Sequence, residues 1–126
     1  QALNGLHVAL VDDDELAVAS AVGLLESWGC RVTAANNQAD ILGSLDAIGA
    51  VPDIILSDYQ IAGTEDGLET IRRLRAHFGK PIPAIILSGD TSPATASAAQ
   101  QADIPLLHKP VRPAKLRALL QRKTQG

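Results

Sequence analysis

The chain has 126 residues, 46% of them apolar but only 2% aromatic, with a formal charge of −3 and one cysteine. One domain of this length buries most of its apolar surface without staples, and a core built from Ala, Val, Ile and Leu suits buried parallel strands. The acidic balance lacks the basic face that nucleic acid requires, Cys30 has no partner for a disulfide or a cysteine metal set, and no apolar run approaches the ~18 residues of a membrane span.

Residues His7 to Val11 form a short apolar run that stops at Asp12-Asp13-Asp14-Glu15, after which Val18, Ala21, Val22, Leu25 and Trp28 recur at helical spacing. This predicts a strand, an acidic turn and a helix, with Asp14 as the cap and Gly29 as the stop. Arg31 to Ala35 reads as a second strand. Ile41, Leu42, Leu45 and Ile48 mark a second helix that closes near Gly49.

After Pro52, residues 53–58 predict a third strand, Asp-Ile-Ile-Leu-Ser-Asp, ending in a carboxylate. Gly63 and Gly67 read as turn formers, since no Gly-Lys-Ser/Thr follows to make a phosphate cradle. Leu68, Ile71, Leu74 and Phe78 line a third helix, with Arg72, Arg73 and Arg75 on its solvated side. Ala84 to Ser88 is a fourth buried strand. The helix after Ser92-Pro93 is rich in Ala, Ser and Gln, so it has little apolar face and is expected to be the most mobile. Ile104 to His108 gives a fifth strand, and Pro113 opens a last helix with Leu116, Leu119 and Leu120 inward. His7, His77 and His108 are expected to pack or face water, and Cys30 to pack.

Five strands alternating with five helices imply right-handed crossovers and a parallel sheet. The expected fold is a single α/β domain over 1–126, flavodoxin-like and doubly wound, with strand order 2-1-3-4-5. In that order the first and third strands are neighbours at the switch point, where ligands bind outside the carboxyl ends. Asp12, Asp13 and Asp58 converge there, with Ser88 and Lys109 on the same edge. Two like charges ~4 Å apart repel by about 4 kcal/mol at an effective dielectric near 20, so three carboxylates call for a cation. A hard ion such as Mg²⁺ suits an all-oxygen set better than zinc. The bland alternatives are helix capping for Asp12 and Asp13, a solvated turn for Asp58, a turn former in Ser88 and a surface charge in Lys109. The five together favour a site for a tetrahedral anion at Asp58, where a carboxylate can attack phosphorus.

The acidic pair Asp12-Asp13, Asp58, Ser88 and Lys109-Pro110, each after its own strand, resemble the receiver domain of two-component response regulators across essentially the whole chain. The resemblance implies phosphorylation of Asp58 by a histidine kinase or phosphotransfer protein. It implies Mg²⁺ held by Asp12, Asp13, Asp58 and the backbone carbonyl of Gln60, with Ser88 following the phosphoryl group and Lys109 binding it. It also implies a cis bond between Lys109 and Pro110. Two departures stand out: Leu106 occupies the position where the family usually carries Tyr or Phe, and the loop from Asp58 to Gly67 is about one residue longer than usual. The run from Leu106 to Leu116 is most similar to receivers attached to hybrid sensor kinases.

By this reading the isolated domain is a phosphoacceptor rather than an enzyme, is cytoplasmic, makes no direct contact with nucleic acid or membrane, and signals to a separate partner or to its parent chain. Gln1 in place of Met is expected to mark either a piece cut from a longer protein or a trimmed chain. One rival is a receiver-like interaction module with no phosphorylation cycle. Another is an aspartyl-phosphate phosphatase of the haloacid-dehalogenase type, which needs an Asp where Gln60 stands.

Overall fold

The structure is a computed structural model that describes residues 3–61 and 65–124. Ten elements alternate along the chain: β1 His7–Val11, α1 Glu15–Ser27, β2 Arg31–Ala35, α2 Gln38–Ile48, β3 Ile54–Asp58, α3 Gly67–Phe78, β4 Ala84–Ser88, α4 Pro93–Gln101, β5 Leu106–His108 and α5 Pro113–Thr124. The strands form one parallel sheet in the order β2-β1-β3-β4-β5, as expected.

Alternation along each strand divides the core into two layers. Val8, Leu10, Ile54, Leu56, Ile85 and Leu87 face one side, where they pack with Leu25 of α1 and Leu116 and Leu120 of α5. Ala9, Val11, Ile55, Ala84 and Ile86 face the other, against Ile41 and Leu45 of α2 and Ile71 and Leu74 of α3. Each fully buried Leu or Ile contributes about 1.5–3 kcal/mol, so branched aliphatics replace the missing aromatics. Cys30 is buried in the first layer, as expected.

Helix starts are set by side-chain acceptors for the free amides of the first turn. Asp14 accepts from Leu16 N at 3.0 Å, Asn37 from Asp40 N at 2.8 Å and Asp66 from Glu69 N at 2.8 Å. Pro93 occupies the first turn of α4 behind the cap Ser92. Gly29, Gly49 and Gly79 follow α1, α2 and α3 at positive φ.

Several expectations are corrected. β3 starts one residue later, at Ile54; Asp53 still donates from its amide to His7 O at 2.8 Å, but His7 N is taken by the Asp53 carboxylate, at 2.8 Å, instead of by a strand carbonyl. β5 shortens to three residues. Its expected first residue, Ile104, instead closes α4 by donating from its amide to Ala99 O at 3.0 Å. Arg75 is not on a solvated face, since its Nε donates to Ile82 O at 2.8 Å and ties α3 to the approach to β4. Arg72 and Arg73 are exposed and pair with Glu69. Ile48 is 59% exposed rather than part of the inward face of α2. Gly67 opens α3 and is not a turn residue: a Cβ there would overlap the Asp58 carbonyl oxygen and lie 2.8 Å from Ile86 Cδ1. Gly63 lies outside the described residues.

The histidines follow the sequence reading. His7 is buried with Nε2 2.7 Å from Thr33 Oγ1, His108 is exposed, and His77 meets Asp46 at 2.9 Å on the surface.

Candidate functional site

Register places the candidate residues along one edge of the sheet. Val11 pairs with Ala35 and Ser57, Asp58 with Leu87, and Ser88 with His108, so the strands run out together. Asp12, Asp58, Ser88 and Lys109 therefore emerge side by side. Asp13, Asp58, Gln60, Asp66, Ser88 and Lys109 line one cleft.

The centre of the cleft is an ion-pair cluster. Lys109 Nζ donates to Asp12 Oδ2 at 2.9 Å and lies 3.4 Å from Asp58 Oδ2. Asp12 is only 2% exposed, and its second oxygen accepts from Asp14 N at 3.0 Å. Asp13 is exposed at the rim. One oxygen from each of Asp12, Asp13 and Asp58 can be chosen so that all lie within 4.8 Å of one another.

Burial holds the Asp58 carboxyl above its ordinary range; Lys109 pulls it down, and Asp12 and Asp13 push it back up. For Lys109, burial works against the charge, but the Asp12 hydrogen bond and the Asp58 and Asp12 charges prevail and raise it above the ordinary lysine value. One ammonium thus faces three carboxylates. The surplus of negative charge and the all-oxygen donor set fit a hard divalent cation.

The neighbouring loops hold this cluster in place. Tyr59 N donates to Leu87 O at 2.8 Å, Gly67 N donates to Tyr59 O at 2.7 Å, and Gln60 pairs with Asp66 in an isolated antiparallel bridge. Lys109 N donates to Ser88 O at 2.8 Å, and the Lys109–Pro110 peptide is cis, as the resemblance implied. Leu106 packs part-buried against the second core layer.

Ser88 reaches the same edge, but its hydroxyl is hydrogen-bonded to Asp90 rather than to Asp58. Its Oγ donates to Asp90 O at 3.1 Å and accepts from Asp90 N at 2.9 Å.

Two residues escaped the sequence reading. Glu65 Oε1 accepts from Gln38 N at 2.9 Å, strapping the loop before α3 to the start of α2. Asp90 accepts from Ser92 N, Ser92 Oγ and Thr95 Oγ1. The run Asp90-Thr91-Ser92-Pro93 carried a signal for the second, because Asp and Ser just before a first-turn proline favour capping turns.

A parallel 2-1-3-4-5 sheet with three acids and a lysine at its carboxyl edge is a receiver-type arrangement. The response regulator receiver domain family model matches residues 8–121, and the chain belongs to that family. The cyclic di-GMP phosphodiesterase response regulator RpfG of Xanthomonas campestris is 36% identical over 131 aligned positions, covering 97% of this chain. The chain spans 34% of RpfG, about a third of that relative's length. The receiver domain of the sensor histidine kinase PA1611 from Pseudomonas aeruginosa, with a magnesium ion in its active-site cleft, is 27% identical with a TM-score of 0.81, covering 97% of this chain and 99% of that one. A response regulator from Chloroflexus aurantiacus shares the fold at a TM-score of 0.84 and 22% identity, over 98% and 100% of the two chains.

Receiver domains in general accept phosphoryl groups from histidine kinases or phosphotransfer proteins and bind Mg²⁺ at an acidic site. No helix among the described residues is long and apolar enough to cross a membrane.

Proposed function

We propose that the chain is one receiver domain over 1–126 whose Asp58 accepts a phosphoryl group from a phosphohistidine donor in a Mg²⁺-dependent reaction. The observation that carries this reading is the joint contact of Lys109 with Asp12 and Asp58 beside Asp13. The Asp58 carboxylate attacks phosphorus, a P–O bond forms, the P–N bond to the donor imidazole breaks, and an acyl phosphate results. Lys109 supplies a fixed positive charge for the transferring oxygens. Asp12, Asp13, Asp58 and the Gln60 carbonyl are the groups that would hold Mg²⁺, which supplies further neutralisation of phosphoryl charge. Ser88 serves the phosphoryl oxygens once its hydroxyl turns from Asp90.

The domain is a phosphoacceptor and not a turnover enzyme, and it works in the cytoplasm. The likeness to a sensor-kinase receiver supports a place in a hybrid kinase, with output through the surface of α4, β5 and α5. A competing reading, an interaction module without a phosphorylation cycle, draws on Leu106 in place of the family's aromatic residue. Incubation with Mg²⁺ and a small acyl phosphate separates them. Intact mass should rise by one phosphoryl group in the wild type and not in Asp58→Asn. No gain, or a gain that survives the substitution, sinks the proposal.

A further inference from the structure

The groups that would hold Mg²⁺ come from separate loops. Asp12 and Asp13 follow β1, whereas the Gln60 carbonyl follows β3. Their relative placement depends on what ties the two loops to a common support. Residues 35–38, at the end of β2 and the start of α2, form that support. On one side the Ala35 carbonyl accepts from Asp12 N at 3.1 Å. On the other, Gln38 N donates to Glu65 Oε1 at 2.9 Å. β2 and β3 are the two neighbours of β1, so these bonds join the strand ends on either side of Asp12 and Asp13.

Glu65 belongs to the same loop as Gln60. Ile61 N donates to Glu65 O at 3.1 Å, Gly67 N donates to Tyr59 O at 2.7 Å, and Gln60 and Asp66 pair in an antiparallel bridge. Residues 59–61 and 65–67 are thus two arms zipped to each other, with buried Ile61 packed in the second core layer. The Glu65 carboxylate makes the one hydrogen bond from either arm to α2 among the described residues. A carboxylate that accepts from the first amide of a helix meets both a charge-assisted bond and the positive end of the helix dipole.

We infer that Glu65 is a positioning residue for the metal site: by accepting from Gln38 N, it sets the Gln60 carbonyl relative to Asp12 and Asp13. The inference rests on the reading of Asp12, Asp13, Asp58 and Gln60 as the Mg²⁺-holding groups. Residues that orient metal ligands in this indirect way contribute about 10–100-fold to metal affinity. The lower end applies here, because Ile61 and the backbone bonds also hold the loop.

The test is titration with Mg²⁺ alone, followed by NMR at the Asp13 and Gln60 amides. Glu65→Ala should bind Mg²⁺ about tenfold more weakly than the wild type. That substitution also removes a negative charge from the cleft lining. Glu65→Gln separates the two effects: it loses the charge but keeps a carbonyl oxygen to accept from Gln38 N, so its affinity should stay close to that of the wild type. Gln38→Pro does the converse, deleting the donor and keeping the charge. Gln38 is the first residue of α2, where proline fits because that N–H has no partner within the helix, and Asn37 before it is already extended at φ −158° and ψ 171°. Gln38→Pro should weaken Mg²⁺ binding as much as Glu65→Ala, and the double variant should be no weaker than either, since both break one bond.

Wild-type affinity in Gln38→Pro, equal losses in Glu65→Gln and Glu65→Ala, or losses that add in the double variant each overturn the inference. So does a lower urea midpoint with unchanged Mg²⁺ affinity, which is the outcome for a strap that serves stability alone. If Glu65→Ala does not fold, Gln38→Pro decides the matter. A wild type with no saturable response to Mg²⁺ overturns the metal reading and the inference with it, so the wild-type curve tells the two failures apart.

Discussion

Gly67→Ala gives a sharp test of how the fold holds the site. Gly67 is buried where α3 meets the end of β3, and its amide donates to Tyr59 O. A methyl group there overlaps the Asp58 carbonyl oxygen and lies 2.8 Å from Ile86 Cδ1 and 3.0 Å from Ser57 Oγ. The first two neighbours are a strand carbonyl and a fully buried side chain, so neither can swing aside cheaply. Overpacking of this kind costs about 1–3 kcal/mol, which for a domain of this size lowers Tm by about 4–12 °C.

Helix propensity works in the opposite direction, since Ala is favoured over Gly by up to about 1 kcal/mol within a helix. Gly43 isolates that term. It sits inside α2 with nothing within 4 Å of an added Cβ, so Gly43→Ala should raise Tm by a few degrees. Urea or thermal unfolding followed by Trp28 fluorescence measures both. Mg²⁺ affinity should also fall in Gly67→Ala, because α3 and the Asp58 backbone must part. A Gly67→Ala protein as stable as the wild type, or stabilised like Gly43→Ala, refutes the reasoning.

Lys109→Ala leaves the buried Asp12 and its neighbour Asp58 without their ammonium. Without metal it should destabilise the fold by about 1–3 kcal/mol, discounted because Lys109 is a quarter exposed. Saturating Mg²⁺ should then raise Tm more in the variant than in the wild type. Glu65→Ala removes the acceptor for Gln38 N and should cost about 0.5–1.5 kcal/mol, read as faster amide exchange at the start of α2.

His7 gives a pH signature. It is buried with Nδ1 unpartnered, and burial, followed by the charge of Arg31, lowers its pKa, with Asp53 partly opposing. The folded state thus prefers the neutral ring, and the unfolded chain binds the extra proton first. Stability should fall as pH drops from about 6.5 toward the lower folded value. Urea midpoints across that window should slope less in His7→Gln than in the wild type.

The sheet order and the convergence of Asp12, Asp58, Ser88 and Lys109 were legible because strand alternation and strand-end acids depend only on local pattern. The ends of β3 and β5 were not. At Asp53 the side-chain carboxylate, not a strand carbonyl, accepts from His7 N, and the amide of Ile104 goes to the last turn of α4, both contacts that spacing along the chain does not show. Arg75 looked solvated because helical spacing cannot show that a carbonyl at Ile82 curls back beneath it. Gly67 looked like a turn for the same reason: its role is set by the closeness of β3, which no spacing reveals. Ser88 was placed correctly, whereas the orientation of its hydroxyl is decided by Asp90, two residues on.

The central claim is that Asp58 is the phosphoryl acceptor. The most direct measurement is hydride reduction of protein treated with Mg²⁺ and a small acyl phosphate, followed by peptide mapping. Hydride converts an acyl phosphate to an alcohol and so marks the carboxylate that carried the group. The account predicts the mark at Asp58 and nowhere else. A mark at Asp12 or Asp13, or an unmarked chain after full incubation, contradicts it.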